Sequence, residues 1–462
     1  MTETHGTRDA APGNRPSLPH DEVLLASVEH VGELLKTRAL SPVELTKAAL
    51  NRVNRLNPRL RAFVHVAAAE ALEAATQSEK RHRRGEALGP WDGIPVSVKD
   101  ICAVAGLPLE AGSAVLRGHV AAYDAEIVRV LRGTGAVILG KTSLDEFALS
   151  TSGPARNPLN TALSPGGSSG GAAVAVATGM SFADIATDTG GSVRIPAHCC
   201  GVVGLKPTHS LLPLDGIVPL AHSLDHVGIL TRTLGDSASF LAALQPGDGP
   251  AVPADVPALS SLRVGVVPQL PIRSDAVRRD YEHLTQVLRA EGADVREVSL
   301  PNLDAVSAVH MTVLSAEMSR YHRQRFGPKE TRYGDGMTAV CEIGADVSTE
   351  AYTAAREARG ELCRAIDRLL EDVDVLALPT LLIDVPEADR ATVTIAGIEQ
   401  LVTPAMVRLT SLFNHTGHPA VTVPLAANPG EQPSSVQLVA PYHQERRLLA
   451  AAQRIRAGMA SR

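Results

Sequence analysis

The sequence predicts an α/β protein with a single large domain, built on a mixed, mostly parallel central β-sheet that helices cover on both faces. Short apolar runs typical of buried strands alternate along the chain with segments of helical periodicity, which is the pattern of such folds. Of the 462 residues, 44% are hydrophobic and 20% are charged, as in ordinary globular proteins with a large core. Breaks rich in proline and glycine occur at residues 245–257 and 386–390, but both are too short to separate domains.

The N-terminal part of this domain, which we place at residues 21–462, is predicted to be helical. Apolar residues recur at helical spacing over residues 24–35. Residues 41–44 combine a serine cap, a proline at the first helical position and a glutamate three residues after the serine, which is the sequence of a capping box. A further helix, rich in alanine and glutamate, is expected over residues 67–84.

Strands and helices alternate through the rest of the chain. The first predicted strands lie at residues 94–98, 136–139 and 182–186, and the helices between them lie at residues 125–132 and 172–177. A β-α-β unit follows, with its strands at residues 264–267 and 295–300. The last predicted elements are strands at residues 373–378, 420–423 and 436–439 and a terminal helix at residues 445–456.

Residues 1–20 are polar and rich in proline, glycine and threonine, so we expect a disordered tail there. This segment lacks the apolar stretch of a secretion signal, and no part of the chain approaches about 18 uninterrupted apolar residues. The five cysteines have no C-x-x-C spacing, so neither a disulfide framework nor a structural zinc site is expected. These features favour a cytoplasmic protein that needs no metal or other cofactor.

Charge and aromatic content argue against several binding functions. The net charge is −6, and the longest basic run is the short cluster at residues 81–84, so avid binding to nucleic acid or to an anionic membrane is not expected. Aromatic residues make up 3% of the chain, which is too few for a platform that stacks single-stranded bases. Assembly as a homodimer is expected only because two-fold symmetric dimers are the commonest oligomers of soluble proteins.

The first candidate for a functional segment is residues 164–171, which read Ser-Pro-Gly-Gly-Ser-Ser-Gly-Gly. Consecutive glycines let several backbone N–H groups converge on one point, which suits a phosphate or a developing oxyanion. A phosphate loop needs lysine and then serine or threonine after its last glycine, but Ala172 and Ala173 follow here. The glycine spacing also differs from a dinucleotide fingerprint, so this segment alone predicts only a flexible loop that enters a helix.

The second segment, residues 187–196, places Ser192 directly after Gly190 and Gly191 beyond a predicted strand. A serine in such a turn presents its oxygen on the same side as nearby backbone N–H groups. A nucleophile then lies beside an oxyanion hole, as acyl transfer requires. The nucleophile also needs a base. His198 is close in sequence, but it lies in an apolar stretch and we interpret it as structural.

Lys99 is the other candidate base, because it ends a predicted strand, where functional groups of parallel sheets emerge. A lysine acts as a base only when neutral, so its pKa must fall from about 10.4 towards about 7–8. Ser168 or Ser169 could pass a proton between Ser192 and Lys99, because a hydroxyl donates and accepts at once. Considered alone, Lys99 would be interpreted as a surface lysine or as the partner of Asp100.

Taken together, the strand that ends at Lys99 and the two loops resemble the amidase signature family, whose members hydrolyse or transfer amides with a Ser–cis-Ser–Lys triad. The resemblance covers most of the chain and is densest over residues 93–228. The supporting segments lie at residues 140–148, 157–160, 204–208, 223–228, 413–419 and 436–439. This chain departs from the usual family sequence at residues 209–210 and 229, outside the triad, so the departures bear on the mouth of the substrate pocket.

The resemblance implies a role for each matching residue. Lys99 matches the base, Ser168 the bridging serine that follows a cis peptide bond, and Ser192 the nucleophile that becomes acylated. The other matches are the backbone N–H groups of the oxyanion hole, on Thr189, Gly190, Gly191 and Ser192, and the supporting residues Ser169, Thr187, Asp188 and Arg194. We expect Asp188 and Arg194 to form a pair that braces the loop. The implied partner is a small-molecule amide, cleaved with release of ammonia or an amine.

Three functions remain open at this point. The leading prediction is a stand-alone amidase. The alternatives are a glutaminase subunit of a tRNA-dependent transamidation complex and a binding protein with a decayed site. No sequence feature demands a partner, and the complete triad argues against decay. The candidate pocket segments are residues 151–156, 213–222, 306–321 and 379–385, with His415 and His418 as further candidates, and the scarcity of aromatic residues disfavours aromatic amides.

Overall fold

A mixed sheet of eleven strands forms the centre of the computed structural model, which describes residues 20–150, 153–245, 258–328, 330–425 and 432–460. The strands are β1 (Phe63–Val66), β2 (Pro95–Lys99), β3 (Val137–Thr142), β4 (Ala183–Asp188), β5 (Val203–Lys206), β6 (His226–Thr231), β7 (Arg263–Val266), β8 (Asp294–Glu297), β9 (Val375–Pro379), β10 (Thr392–Ile395), β11 (Ile398–Leu401), β12 (Ala420–Pro424) and β13 (Ser435–Val439). Strands β10 and β11 pair separately, as a two-stranded sheet.

Helices flank the sheet, and together with it they confirm the predicted α/β fold with a large mixed central sheet. The helices are α1 (His20–Val23), α2 (Val28–Lys36), α3 (Pro42–Leu60), α4 (Ala68–Arg84), α5 (Glu126–Gly133), α6 (Gly170–Ala177), α7 (Arg194–Cys200), α8 (Leu234–Leu244), α9 (Asp275–Ala290), α10 (Leu303–Phe326), α11 (Asp335–Ala345), α12 (Thr349–Asp372), α13 (Val402–Val407), α14 (Leu412–His415) and α15 (Glu445–Ala460). Within the described ranges, none of these helices combines the length and apolar character needed to cross a membrane.

The strand order of the large sheet is β1-β3-β2-β4-β6-β5-β12-β13-β9-β7-β8. Parallel pairing occurs in two blocks, one in which β2 pairs with β3 and β4, and one in which β7 pairs with β8 and β9. The ladders that join the two blocks, from β4 across to β9, are antiparallel. In the first block β2 and β4 run in the same direction, so their carboxyl ends meet at one edge of the sheet.

Local sequence signals explain where several elements begin. The predicted capping box is present at the start of α3, where the Ser41 hydroxyl accepts from Glu44 N at 3.1 Å and the Glu44 carboxylate accepts from Ser41 N at 2.9 Å. The helix expected over residues 24–35 begins later than predicted, at Val28, because Ser27 caps it. The strands expected at residues 94–98, 136–139 and 182–186 are β2, β3 and β4.

Some predicted features fall on parts of the chain that the structure does not describe. Of the tail expected over residues 1–20, only His20 is described, and it begins α1. The break at residues 245–257 also lies outside the described ranges, apart from residue 245. The break at residues 386–390 is described, and Glu387 pairs there with Leu163 in an isolated β-bridge.

Candidate active site

Three hydroxyl groups surround the side chain of Lys99 at the end of β2. Its Nζ lies 2.8 Å from Ser168 Oγ, 2.8 Å from Ser169 Oγ and 3.0 Å from Thr187 Oγ1. Thr187 belongs to β4, which pairs in parallel with β2, whereas the two serines directly precede α6. The sheet therefore brings the lysine, the serine loop and the end of β4 to one place.

Lys99 is 0% exposed, and this burial governs its charge. Removal from water penalises the ammonium form and lowers the pKa of Lys99 to about 8, against the opposing influence of Cys102, Asp145, Asp184 and Asp188. In the described part of the chain, no carboxylate lies within ion-pair distance of Nζ. A substantial fraction of Lys99 is therefore neutral in mildly alkaline solution.

The serine loop lies against the loop that contains Ser192. The Gly167–Ser168 peptide bond is cis, as the family resemblance implies. Ser169 N donates to Ser192 O at 3.2 Å and joins the two loops. Gly166 has a φ of 70°, and a Cβ added there would lie 2.9 Å from the Cα of Pro196 in α7. Only glycine combines this backbone conformation with such a close approach.

Ser192 lies in the turn between β4 and α7 and is 8% exposed. Gly191 in this turn has a φ of 136°, and a Cβ added there would lie 2.2 Å from Thr410 Oγ1. Thr410 Oγ1 donates to Gly190 O at 2.6 Å and holds the turn. Within the described residues, the N–H groups of Gly190, Gly191 and Ser192 donate to no protein acceptor. They are therefore available to a negatively charged oxygen.

The predicted pair of Asp188 and Arg194 is present and fully buried, with 2.8 Å between Arg194 Nη2 and Asp188 Oδ1. Asp188 Oδ2 also accepts from Val193 N at 3.0 Å. Burial alone would raise the pKa of Asp188, but the charge and hydrogen bonds of Arg194, with help from Asn414, hold the pKa well below its usual range. A charged Asp188 therefore stabilises the turn that contains Ser192.

Residues distant in sequence complete this support, and sequence reasoning did not assign them a role. Arg194 Nη1 donates to Thr410 O at 2.9 Å and to Gln437 Oε1 at 2.7 Å, and Nη2 donates to Asn414 Oδ1 at 2.7 Å. Asn414 in turn donates to Asp188 O at 2.8 Å. Asn414 and Gln437 lie in segments that match the family, so that match was the available signal.

Thr189 anchors the other side of the same turn. Its hydroxyl donates to Asp225 Oδ1 at 2.6 Å, and Asp225 accepts from the backbone N–H groups of Leu220 at 3.1 Å and Ala221 at 3.3 Å. Burial raises the pKa of Asp225 to about 6, against the lowering effect of these hydrogen bonds. These contacts connect the turn that contains Ser192 to Leu220, which lines a cavity beside this turn.

A cavity of about 550 Å³ opens beside Ser192 and Gly190. Its described wall is mainly apolar, and the large apolar side chains are Leu149, Leu220, Met311, Leu314, Val340, Leu401, Val402 and Val407. The charged residues of this wall are Asp389 and Arg390, and each forms an ion pair with a neighbour outside the cavity, Arg156 and Glu387 respectively. The cavity thus offers Ser192 an apolar chamber of the size of a small organic molecule.

The predicted pocket segments contribute unequally to this wall. Residues 306–321 supply His310, Met311 and Leu314, and residues 213–222 supply Leu220. Residues 379–385 supply none of the described lining residues, and residues 151 and 152 are outside the described ranges. The contributions of residues 148–150, 336–340 and 389–407 were not predicted.

The three histidines considered from sequence occupy different places. His415 lies behind the cavity wall, where its Nε2 is 3.2 Å from His310 Nδ1. His418 stacks on Tyr442 with 4.0 Å between ring centroids and does not line the cavity. His198 lies in α7 and hydrogen bonds to Ser435 at 2.8 Å, in agreement with its interpretation as structural.

Comparison with known proteins agrees with the fold. The family model described as Amidase matches residues 44–449. The chain is 32% identical over 472 residues to a glutamyl-tRNA(Gln) amidotransferase subunit of Chloroflexus aggregans, across 92% of this chain and 94% of that protein. It is 32% identical over 446 residues to a protein named as a putative amidase, AmiD, of Mycobacterium bovis, across 93% of this chain and 94% of that protein.

A solved structure described as an amidase superposes on this chain with a TM-score of 0.86 and 32% sequence identity. The superposition covers 94% of this chain and 100% of the other. The similarity in structure therefore extends over nearly the whole of both chains.

Proposed function

This chain belongs to the amidase signature family, and from that premise we propose that it is an amidase for small linear amides. It cleaves the C–N bond through an acyl-Ser192 intermediate and releases ammonia or an amine. The observation that carries the proposal is the placement of Lys99 Nζ, buried and 2.8 Å from Ser168 Oγ, with Ser192 on the wall of the adjacent cavity.

The first half of the proposed reaction forms the acyl-enzyme. Neutral Lys99 accepts the proton of Ser168 while Ser168 accepts the proton of Ser192, and Ser192 Oγ bonds to the amide carbon. The electron pair of the C=O double bond moves to oxygen, where the N–H groups of the 189–192 turn stabilise the charge. The proton then returns from Lys99 through Ser168 to the leaving nitrogen, and the C–N bond breaks.

The second half of the reaction uses the same groups with water as the nucleophile. Water gives a proton to the relay as it attacks the ester carbon, and the relay returns that proton to Ser192 Oγ as the C–O bond breaks. The products are a carboxylic acid and free Ser192. Because Lys99 ends each half in its starting form, no other base is needed.

Ser168, rather than Ser169, is proposed as the relay, although both lie 2.8 Å from Lys99. Ser169 Oγ also donates to Thr187 O at 3.3 Å, so its proton is directed at a carbonyl. Ser168 Oγ has only Lys99 as a hydrogen-bond partner among the described residues. Ser169 and Thr187 therefore orient the lysine, and Ser168 is left to exchange protons.

A second candidate function is the glutaminase component of a transamidation complex, because several relatives carry the name of an amidotransferase subunit. The cavity wall supports a different substrate. Free glutamine carries an ammonium and a carboxylate that need opposite charges when buried. Among the described residues of the wall, only Asp389 and Arg390 carry a charge, and the rest of the wall is mainly apolar. An uncharged, largely apolar amide fits this wall better.

Ammonia release from a panel of primary amides that includes L-glutamine tests the proposal. We expect turnover of small aliphatic amides, little or none of glutamine, and loss of activity by several orders of magnitude in Ser192→Ala and Lys99→Ala. Ser299→Ala, which changes an exposed serine after β8, serves as the matched control. Wild-type turnover by Ser192→Ala would contradict the proposal.

Two further observations separate the alternatives. Labelling of Ser192 by a fluorophosphonate probe distinguishes an active hydrolase from a binding protein with a decayed site. Activity that appears only with copurifying protein chains would favour the transamidation complex. Assembly of the chain as a homodimer stays a prediction, and gel filtration at several concentrations tests it.

A further inference from the structure

His310 of α10 is a polar residue in the apolar wall of the cavity. It is 4% exposed, and its Nε2 lies 2.9 Å from the position that a Cβ on Gly190 would occupy. The imidazole therefore lies directly over the turn that holds Ser192. Within the described residues, His310 Nε2 has no hydrogen-bond partner, although the other ring nitrogen has one. A polar atom in such a position is available to a ligand.

The second ring nitrogen of His310 contacts another buried imidazole. Its Nδ1 lies 3.2 Å from Nε2 of His415, and the two rings are nearly perpendicular. His415 is held in place from behind, because its carbonyl oxygen accepts from Arg359 Nε at 2.7 Å. Burial lowers the pKa of His310 to about 4 and the pKa of His415 well below its usual value. Both rings are therefore neutral near neutral pH and share one hydrogen.

The surroundings of His415 decide which ring donates this hydrogen. His415 Nδ1 is buried without a hydrogen-bond partner in the described part of the chain. If His310 donated, His415 Nδ1 would carry a buried hydrogen with no acceptor. If His415 donates, the same atom is an unused lone pair. Buried N–H groups without acceptors are rarer in proteins than unused acceptors. His415 therefore donates, and the hydrogen of His310 is on Nε2.

We propose that His310 donates its Nε2–H to an acceptor atom on the acyl chain of the substrate. It thereby selects small amides whose apolar chain carries one ether or carbonyl oxygen close to the scissile group. This proposal rests on the proposed amidase function. When ammonia is the leaving group, whatever fills the cavity is the acyl chain. An apolar wall with the Nε2–H of His310 fixed next to the turn of Ser192 then matches a chain with an acceptor near the carbonyl.

Pairs of primary amides that differ only by an oxygen in place of a methylene group test the selection. The pairs are 2-methoxyacetamide with butanamide and 3-methoxypropanamide with pentanamide. In at least one pair we expect the wild-type enzyme to prefer the ether by about tenfold or more in kcat/KM, because the methylene would cover the His310 donor without accepting its hydrogen bond. If the hydrogen bond from His310 is equally strong in the ground state and the transition state, the preference for the ether should appear mainly in KM.

Variants of His310 separate this hydrogen bond from a packing effect. His310→Phe keeps a ring but has no donor, so the ether preference should fall to about twofold or less. His310→Gln places an amide N–H near the position of Nε2 and should retain part of the preference. Met311→Leu, on the same wall, is the matched control and should keep the wild-type ratio. Thermal unfolding of each variant identifies any loss of folding.

The outcomes distinguish this proposal from the proposed function. If the wild-type enzyme hydrolyses both members of every pair equally well, the role of His310 is overturned and the amidase function stands. If no amide is hydrolysed, the amidase function itself fails. The tautomer can be measured without substrate from the ¹⁵N signals of labelled histidine, assigned with His310→Gln. A hydrogen on Nδ1 of His310 would overturn the proposal even if the His310→Phe variant did not fold.

Discussion

Lys99 and Lys141 are neighbours on adjacent strands, and both are fully buried, yet their surroundings differ in one respect. Lys99 is surrounded by three hydroxyl groups. Lys141 forms an ion pair with Asp100 at 2.8 Å and donates to Pro108 O at 2.9 Å. The two lysines are therefore buried to the same extent but have different kinds of partner. The hydroxyl groups around Lys99 can donate or accept a hydrogen bond, whereas the oxygen atoms around Lys141 only accept one.

Under the proposed mechanism, this difference explains why Lys99 suits proton transfer and Lys141 suits a structural role. A hydroxyl can accept from an ammonium and can equally donate to a neutral amine, so it tolerates both forms of Lys99. The Asp100 carboxylate and the Pro108 carbonyl oxygen only accept hydrogen bonds, so neither can donate one to Lys141. Burial alone therefore does not make a lysine a base, because the chemistry of its partners decides.

The largest effect is expected from removal of Lys99. In Lys99→Met, kcat should fall by about a thousandfold or more, because the relay has no final acceptor for the proton. The melting temperature should change less than in a variant that breaks a buried ion pair, since the hydrogen-bond partners of Lys99 Nζ in the described structure are hydroxyl groups rather than carboxylates. Ammonia release and calorimetry on the same sample measure both quantities. A small loss of kcat together with a large loss of stability would assign Lys99 to the structural class of Lys141.

The two serines next to Lys99 sharpen the comparison. We expect Ser168→Ala to lower kcat by about a thousandfold, because the path of the proton is interrupted. Ser169→Ala should lower it by roughly tenfold, because only one of three orienting contacts is lost. The distances from the two hydroxyls to Lys99 are equal, so only their other contacts predict a difference. Equal losses of kcat in single-turnover experiments would contradict the assignment of Ser168 as the relay.

Lys141 should show the opposite behaviour. Lys141→Met leaves the buried carboxylate of Asp100 without a counter-charge, and we expect a loss of about 3–5 kcal/mol in unfolding free energy. Lys141→Met combined with Asp100→Asn should recover much of this loss, because the uncompensated charge is gone. Denaturant unfolding of the single and double variants measures the coupling. If the single variant is as stable as the wild type, the ion pair does not hold this part of the fold.

The sequence predicts the parts of the site that depend on local patterns. The turn around Ser192 follows from its glycine content. The pairing of Asp188 with Arg194 was expected from the family resemblance, and it joins residues only six positions apart. The capping box of α3 likewise depends on neighbours in sequence. Asp100 shows where local sequence patterns mislead. It directly follows Lys99, so the sequence favours Lys99 as its ion-pair partner. The structure pairs it with Lys141, 41 residues away.

The parts that sequence did not predict depend on contacts between distant segments. Thr187 contacts Lys99 only because β2 and β4 are neighbours in the sheet, and the order of strands is not readable from one sequence. Helix α10, which carries His310, was not predicted. Seven consecutive residues, 313–319, are buried in it, so its apolar residues do not form a single stripe. The residue that we propose to select the substrate therefore lies in a helix that has no clear amphipathic pattern in the sequence.

The most direct test of the central claim, that neutral Lys99 activates Ser192, is the pH dependence of fluorophosphonate labelling of Ser192. Because the base is the deprotonated lysine, the second-order rate constant should rise about tenfold per pH unit and level off above a pH near 8, the pKa to which burial lowers Lys99. In Lys99→Met the labelling should be slow at every pH. A wild-type rate constant that does not change between pH 6 and pH 9 or so, or one that Lys99→Met matches, would contradict the account.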